Sequence, residues 1–423
     1  YGYGSPNHLS SKQLFPSNND GIGAIPVTFY PLPDGTTQAD GEIAVVGTAT
    51  GQAVGRIILG GVKANEFVIL DGETETEIAV KIKASIDAVV DVPALTGILA
   101  VGVLPLISKW KGESANDISI EIELADGSGV TIGSTAFSGG AVNPDVDAAL
   151  LLFDNRWETF VLNCLNYDDT DTLDKYSLFG EGRWLQTVKK PCLVASGVTD
   201  DFATRTAITS VRPLDRTNFL IPSIGSKELP FVVAARGLVK DIIPTANDKP
   251  AVNYTGVLTG LEPGETSEIE SVRNASVLAG ASTNIIVNEL AQLNDTITMF
   301  TDGDQPKYKN VVTNVKLHNV LYNVNIVLEV MAGKPLVPDE QVTEDPDAVQ
   351  PKDVVAVFHT LADSLAGKSA IIVDTEFTKK NAWAGIDEQN PDRINSKFPV
   401  KLSGNVEVNS NEVLWGHYYG TGA

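Results

Sequence analysis

Phe137–Asp169 reads FSGGAVNPDVDAALLLFDNRWETFVLNCLNYDD, and its grammar is loop, helix, strand, acidic turn. Gly139 and Gly140 free the backbone to turn. Asn143 suits a helix cap, and Pro144 suits the first helical position, where no backbone N–H is needed. Asp145 and Asp147 would then sit at the positive end of the helix dipole. Val146, Ala149, Leu150 and Phe153 repeat at helical spacing. Thr159–Leu165 is a short apolar run of the kind that forms a strand covered on both faces.

The same alternation continues downstream. Strands are expected at Cys192–Ala195 and Asn218–Ile221, and helices at Leu173–Val188, Asp201–Val211 and Leu229–Ile242. Alternating strands and helices imply a mostly parallel sheet with helices on both faces. Further strands are expected at Asn284–Leu290 and Asp295–Thr301. A long amphipathic helix is marked by Leu317, Val320, Leu321, Val324, Leu328 and Met331. Gly333–Pro351 is an acidic connector punctuated by Pro335, Pro338, Pro346 and Pro351. A helix at Asp353–Ala366 follows, then strands at Ala370–Val373, Val400–Val408 and Glu412–Tyr418.

Upstream, Asn7–Phe15 is helical in pattern and Ile25–Tyr30 reads as a strand, stopped by Pro31, Pro33 and Asp34-Gly35. From Gly41 to Phe137 the texture changes to short strands: Ile43–Thr48, Arg56–Leu59, Glu66–Leu70, Leu99–Leu104 and Ser119–Leu124. One helix, Glu75–Val89, carries Ile78, Ile82, Ile86 and Val89 on one face. This is a β-rich insertion. The expected division is 1–30 and 139–310 for the α/β core, 31–138 for the insertion and 311–423 for a C-terminal α+β unit.

Composition narrows the function. The chain has 423 residues and a net charge of −23, from 31 Lys and Arg against 54 Asp and Glu. Such a surface repels a phosphate backbone, so no nucleic-acid partner is expected. The apolar stretch Ala88–Ile107 holds Asp91, Pro93, Gly97, Gly102 and Pro105, so it reads as two buried strands and not as a membrane span. Cys164 and Cys192 fall in strands, are expected as buried reduced thiols, and lack metal-ligand spacing. Asn253, Asn274 and Asn294 begin glycosylation sequons, which carry no weight in a reducing compartment.

Ligands of α/β sheets bind at the carboxyl ends of strands. Asp168, Asp169 and Asp171 follow one strand there, and Asp200 and Asp201 follow the next. They are either a cation or substrate site or helix caps and solvated turns, and the second is favoured. Gly180-Glu-Gly182 lacks the third glycine of a dinucleotide fingerprint and follows no strand. Gly225-Ser226-Lys227 has the wrong order for a phosphate loop and reads as a turn. Ser196 and Ser223 lie at strand ends, yet none of His8, His318, His359 and His417 is placed to serve them, and no G-x-S-x-G elbow occurs. No catalytic residue, cofactor or metal is expected.

Several stretches, taken in order, resemble one family. They are Lys109–Ile118 (KWKGESANDI), Ser138–Asp145 (SGGAVNPD) with Trp157, Asp215–Asn218 leading to Ile224-Gly225-Ser226, and Leu229-Pro230-Phe231 through Ala235. Arg273-Asn274-Ala275, Thr296–Phe300 and Asn390–Ile394 continue the series. The chain resembles the tail sheath proteins of contractile-tailed, Mu-like bacteriophages.

That resemblance implies a subtilisin-like α/β core sheet without protease function, an inserted β-rich domain and a C-terminal α+β domain. It implies hexameric rings stacked around a tail tube in the virion, with baseplate and tail terminator proteins as further partners. It also implies strands added between subunits, for which Val400, Leu402, Val406, Val408, Val413 and Trp415 are the candidates. The chain opens without Met inside what reads as a folded domain; members of the family begin earlier, with an arm and a first strand, and whether an arm precedes Tyr1 stays open. An α/β hydrolase or ligand-binding enzyme with an unrecognised site is the competing class.

Overall fold

The computed structural model describes residues 2–242, 256–264, 267–303 and 308–404. The first helix, α1 (Pro6–Leu14), starts as its sequence demands, with Ser5 as N-cap and Pro6 in the first turn. The chain then passes through turns, with Ile22 N donating to the Leu14 carbonyl at 3.0 Å, before it reaches the β-rich segment. Ile25–Tyr30, expected as a strand, belongs to no sheet. Pro26 and Pro31 each remove a ladder donor on either side of a short stretch, which disfavours pairing.

The β-rich segment holds two antiparallel sheets. In the first, β1 (Gln38–Val46), β5 (Ala94–Thr96), β6 (Val103–Lys111) and β8 (Thr131–Ser138) run in the order β5-β6-β1-β8. In the second, β2 (Ala53–Leu59) pairs β3 (Val62–Lys63) and β4 (Phe67–Ile69) along one edge and β7 (Ile120–Leu124) along the other. Helix α2 (Glu75–Asp87) packs Ile78, Ile82 and Ile86 inward, each 1% exposed or less. Ala88–Ile107 resolves into β5 and the start of β6, and no described helix is long and apolar enough to cross a membrane. β1 and β8 are paired as the chain enters and leaves the segment, and a bridge from Thr37 to Ala141 extends that pairing.

The next layer is a three-stranded parallel sheet in the order β11-β10-β9. It comprises β9 (Phe160–Leu162), β10 (Leu193–Val198) and β11 (Asn218–Pro222). Helices α3 (Asp147–Leu151), α4 (Thr170–Arg183), α5 (Phe202–Thr209) and α6 (Pro230–Gly237) alternate with the strands. The expected alternation of helices with parallel strands is present in this small sheet, one of several in a mixed α/β chain, with two corrections. First, α3 starts at Asp147 and is one turn long, with Val146 as N-cap. Asn143 is not its cap, and Val142 just before it takes a φ of 58°, a left-handed turn that keeps the chain from entering a helix there. Second, β9 is half-buried along its length, whereas β11 at the other edge of the same sheet is fully buried.

Beyond these lie α7 (Glu270–Leu278) and the hairpin of β12 (Thr283–Val287) with β13 (Leu290–Asp295). The expected strand at Asp295–Thr301 is shifted: the ladder ends at Asp295, and Ile297 and Thr298 make only isolated bridges. One apolar cluster joins the β-rich segment to the parallel sheet, with Ile43, Leu59 and Leu104 on one side and Leu193, Phe219 and Phe231 on the other. Trp110 meets Phe231 edge-on, with centroids 6.0 Å apart.

A second cluster forms around α8 (Val311–Glu329) and α9 (Pro351–Gly367), joining Val320 and Val324 to Val354, Phe358 and Leu361. The connector between them is clasped at its base. Leu336 bridges Val349, and Gln350 Nε2 donates to the carbonyls of Pro338 (2.9 Å) and Gln341 (2.7 Å). Helix α10 (Thr375–Asn381) and the hairpin of β14 (Trp383–Ile386) with β15 (Ile394–Lys397) were not foreseen. Ala370–Val373 is not a strand and makes a single bridge, Ile372 to Leu402.

Candidate functional site

The carboxyl ends of β9 and β10 are where an α/β sheet would bind a ligand. Five acidic residues were singled out there, and the structure separates them. Asp169 caps α4, accepting from Thr172 N at 3.2 Å, and Asp201 caps α5, accepting from Thr204 N at 3.0 Å. Asp171 pairs with Lys175 at 3.1 Å. The cap-and-turn expectation holds for these three. Asp168 and Asp200 remain, both exposed, and a residue not foreseen faces them: Asp117, from the β-rich segment.

Polar side chains tie this place together. Tyr167 Oη donates to Asp200 Oδ2 at 2.6 Å. Asn166 Nδ2 donates to Asp117 Oδ2 at 3.1 Å. Asn143 Oδ1 accepts from Glu113 N at 3.0 Å while its Nδ2 donates to Asp169 Oδ2 at 2.9 Å. Asn116 and Gly140 exchange two hydrogen bonds, Asn116 Nδ2 to the Gly140 carbonyl at 3.0 Å and Gly140 N to Asn116 Oδ1 at 2.9 Å. Burial, then the carboxylates of Asp168 and Asp200, pushes Asp117 up to about 7. Among the described residues no group of three His, Cys, Asp or Glu is placed to hold a metal ion. The arrangement is a junction between two parts of the chain. Its members Asp117, Asn116 and Asn143 lie in the stretches KWKGESANDI and SGGAVNPD, so the sequence signal was present without its geometry.

The other chemistry-bearing residues do not converge. Ser196 is 1% exposed and accepts from Asn163 Nδ2 at 3.0 Å, and Ser223 is fully buried. His318 lies against Trp184, centroids 5.6 Å apart, and burial drives its imidazole down to about 3. His8 takes a hydrogen bond from Gly4 N and lies 3.6 Å from Asp91, while His359 Nε2 contacts the Lys379 carbonyl at 3.0 Å. His417 and Asn253 lie outside the described residues. Burial pushes Cys164 up to about 11 and Cys192 up to about 12, so neither is a thiolate near neutrality.

Gly180 is inside α4, where a Cβ would stand 2.0 Å from Thr217 Oγ1; it serves close helix–strand packing and not a phosphate. Gly225-Ser226-Lys227 is a turn before α6, with Gly225 at a φ of 74° and Ser226 Oγ donating to the Glu262 carbonyl. A cleft of about 870 Å³ runs along the open edge of β9, lined by Leu14, Tyr30, Leu150, Phe153 and Phe160. Its lining is mixed, with Asp34, Lys109, Lys111 and Glu158 among the apolar side chains, and its thiol, Cys164, is in contact with Ser10 Oγ at 3.6 Å.

Of the candidate strand-pairing residues, Val400 and Leu402 pack against the cluster of α8 and α9. Leu402 bridges Ile372, with Val373 N donating to the Lys401 carbonyl at 3.0 Å and Ser403 N to the Ile371 carbonyl at 2.8 Å. Val406, Val408, Val413 and Trp415 lie outside the described residues.

No family model matches the chain. It is 21% identical over 405 residues to the Mu-like prophage FluMu tail sheath protein of Haemophilus influenzae, covering 90% of this chain and 80% of that one. Among solved structures, the sheath tail protein of Desulfitobacterium hafniense matches with a TM-score of 0.40 and 11% identity, over 70% of this chain and 76% of that chain. A chain of the anti-feeding prophage baseplate matches with a TM-score of 0.45 and 12% identity, over 67% of this chain and 76% of that one. The similarity to the Mu-like prophage tail sheath protein thus runs over most of both chains.

Proposed function

We propose that the chain is a subunit of a contractile phage-like tail sheath. It stacks as hexameric rings around a tail tube and shortens to drive that tube through a host envelope. The sequence relation to a tail sheath protein over 405 residues carries this reading. The buried Ser196 and Ser223 and the scattered histidines support it from the side of chemistry, since an acyl-transfer site needs its three groups together. In this reading the parallel sheet is the centre of a subtilisin-like core, 31–138 is an inserted domain facing away from the tube, and 311–423 is the C-terminal unit. Partners are copies of the chain, a tail tube protein, and baseplate and terminator proteins of a virion tail.

Contraction of such an assembly needs no nucleotide when free energy is stored during assembly. Subunits would be linked by strand addition around Val400–Val408 and Glu412–Tyr418, because main-chain pairing at an edge holds while rigid bodies swing. Negative-stain electron microscopy of concentrated, purified chain tests the proposal. Tubes or stacked rings with six-fold symmetry are expected. Persistent monomers, together with labelling by an active-site serine probe, would favour the competing hydrolase.

A further inference from the structure

The β-rich segment is joined to the parallel sheet by a polar seam as well as an apolar one. Its entry and exit strands are paired at Thr36 and Thr37 with Ala141, which gives one pivot. Away from the pivot, besides the apolar cluster and contacts such as Ser119 Oγ donating to the Lys227 carbonyl, two places in the seam each hold a carboxyl group facing other carboxyl groups.

The first is Asp117, at the end of a short 3-10 turn (Glu113–Asp117), held by Asn166 and facing Asp168 and Asp200 from the loops after β9 and β10. Tyr167 stands beside them with its hydroxyl committed to Asp200. The second is Glu228, just ahead of α6 and 8% exposed. Its Oε1 accepts from Glu262 N at 3.3 Å, and the hairpin of β2 and β3 presses Gly61 so closely on it that a Cβ there would stand 1.8 Å from Oε2. Glu262 and Glu121 face Glu228, with Lys63 as the facing cation; Lys63 pairs with Glu262 at 3.0 Å.

We propose that this seam is a proton-controlled clasp: it is tight while Asp117 and Glu228 keep their protons, and it loosens about the Thr37–Ala141 pivot when both release them. A protonated carboxyl in either place adds no charge to the carboxylates around it. A deprotonated one sets like charges against each other across the two parts of the chain, with Lys63 already committed. Burial, the larger cause at both places, pushes each group up to about 7. The sign follows from linkage: a carboxyl whose pKa is raised by closure favours the closed seam more strongly as pH falls, and that preference is lost as pH rises through about 7.

Hydrogen exchange on the full chain tests it, with rates expressed as protection factors so that intrinsic pH dependence drops out. Between pH 5.5 and 8.5 the amides of Gly60–Lys63 and Glu113–Ile118 should lose protection by about ten-fold per group, while those of α9 stay level. In Asp117→Asn with Glu228→Gln the seam amides should be level across the same range, and each single variant should remove part of the fall. Should the double variant fold poorly, the two single variants carry the test. Level protection in the native chain, or an unchanged fall in the variants, would overturn the clasp. An equal fall in α9 would show global loosening and would overturn it as well.

Discussion

Gly197 lies in β10 where α6 crosses it, and a Cβ there would stand 1.6 Å from the Pro230 carbonyl oxygen. A backbone atom cannot swing aside as a side chain can, so Gly197→Ala must push the helix off the sheet. We expect a loss of about 1–3 kcal/mol, read from urea unfolding. His318 gives a pH prediction. It is 4% exposed, its ring nitrogens find no partner among the described residues, and burial holds it neutral down to about 3. The unfolded chain takes up that proton near pH 6.5 and the folded chain does not, so stability falls as pH drops from about 6.5 toward 3. His318→Phe keeps a ring against Trp184 and should flatten this slope in thermal scans between pH 7 and 4.5. A slope equal to that of the native chain would show that other groups set it.

Elements differ in how far local chemistry fixes them. Helix α2 is nearly self-specifying. Thr74 and Glu77 form a reciprocal capping box, with Thr74 N donating to Glu77 Oε2 at 2.9 Å, and the isoleucine stripe buries one face. Thr74→Ala should cost about 1 kcal/mol, and Ile82→Ala about 2–5 kcal/mol, in the same unfolding experiment. Such elements were readable from the chain, as were α6 with Pro230 at its start and the cap of α5 at Asp201. Ile25–Tyr30 misled because its side chains suit a strand, while pairing is decided by a partner edge that a local pattern does not contain. The hairpin of β14 and β15 went unseen for the opposite reason. Its strands are four residues each and partly polar, held by a turn in which Asp387 N donates to the Arg393 carbonyl at 2.8 Å. The seam was illegible in the same sense. Asp117, Asn143 and Asn166 are ordinary loop residues until the fold brings together positions 23 to 49 apart.

For the whole molecule, the sheath proposal makes assembly the quantity to measure. Removing Glu412–Ala423 is expected to leave a soluble, folded chain that forms no tubes, and Val406→Pro should act likewise by removing a ladder donor. Normal tubes from both variants would show that the subunit link is made elsewhere. The clasped connector between α8 and α9 has a different use. Its base is closed by the Leu336–Val349 bridge and the two Gln350 hydrogen bonds, while Val342 beyond that closure is 93% exposed. Lengthening a loop whose ends are already tied adds little entropy cost, under about 1 kcal/mol for each doubling of its length. A peptide tag spliced in after Val342 should therefore leave the melting temperature unchanged and be captured by its antibody without unfolding. That makes this loop a display port, and in an assembled tube the cargo would repeat once per copy of the chain.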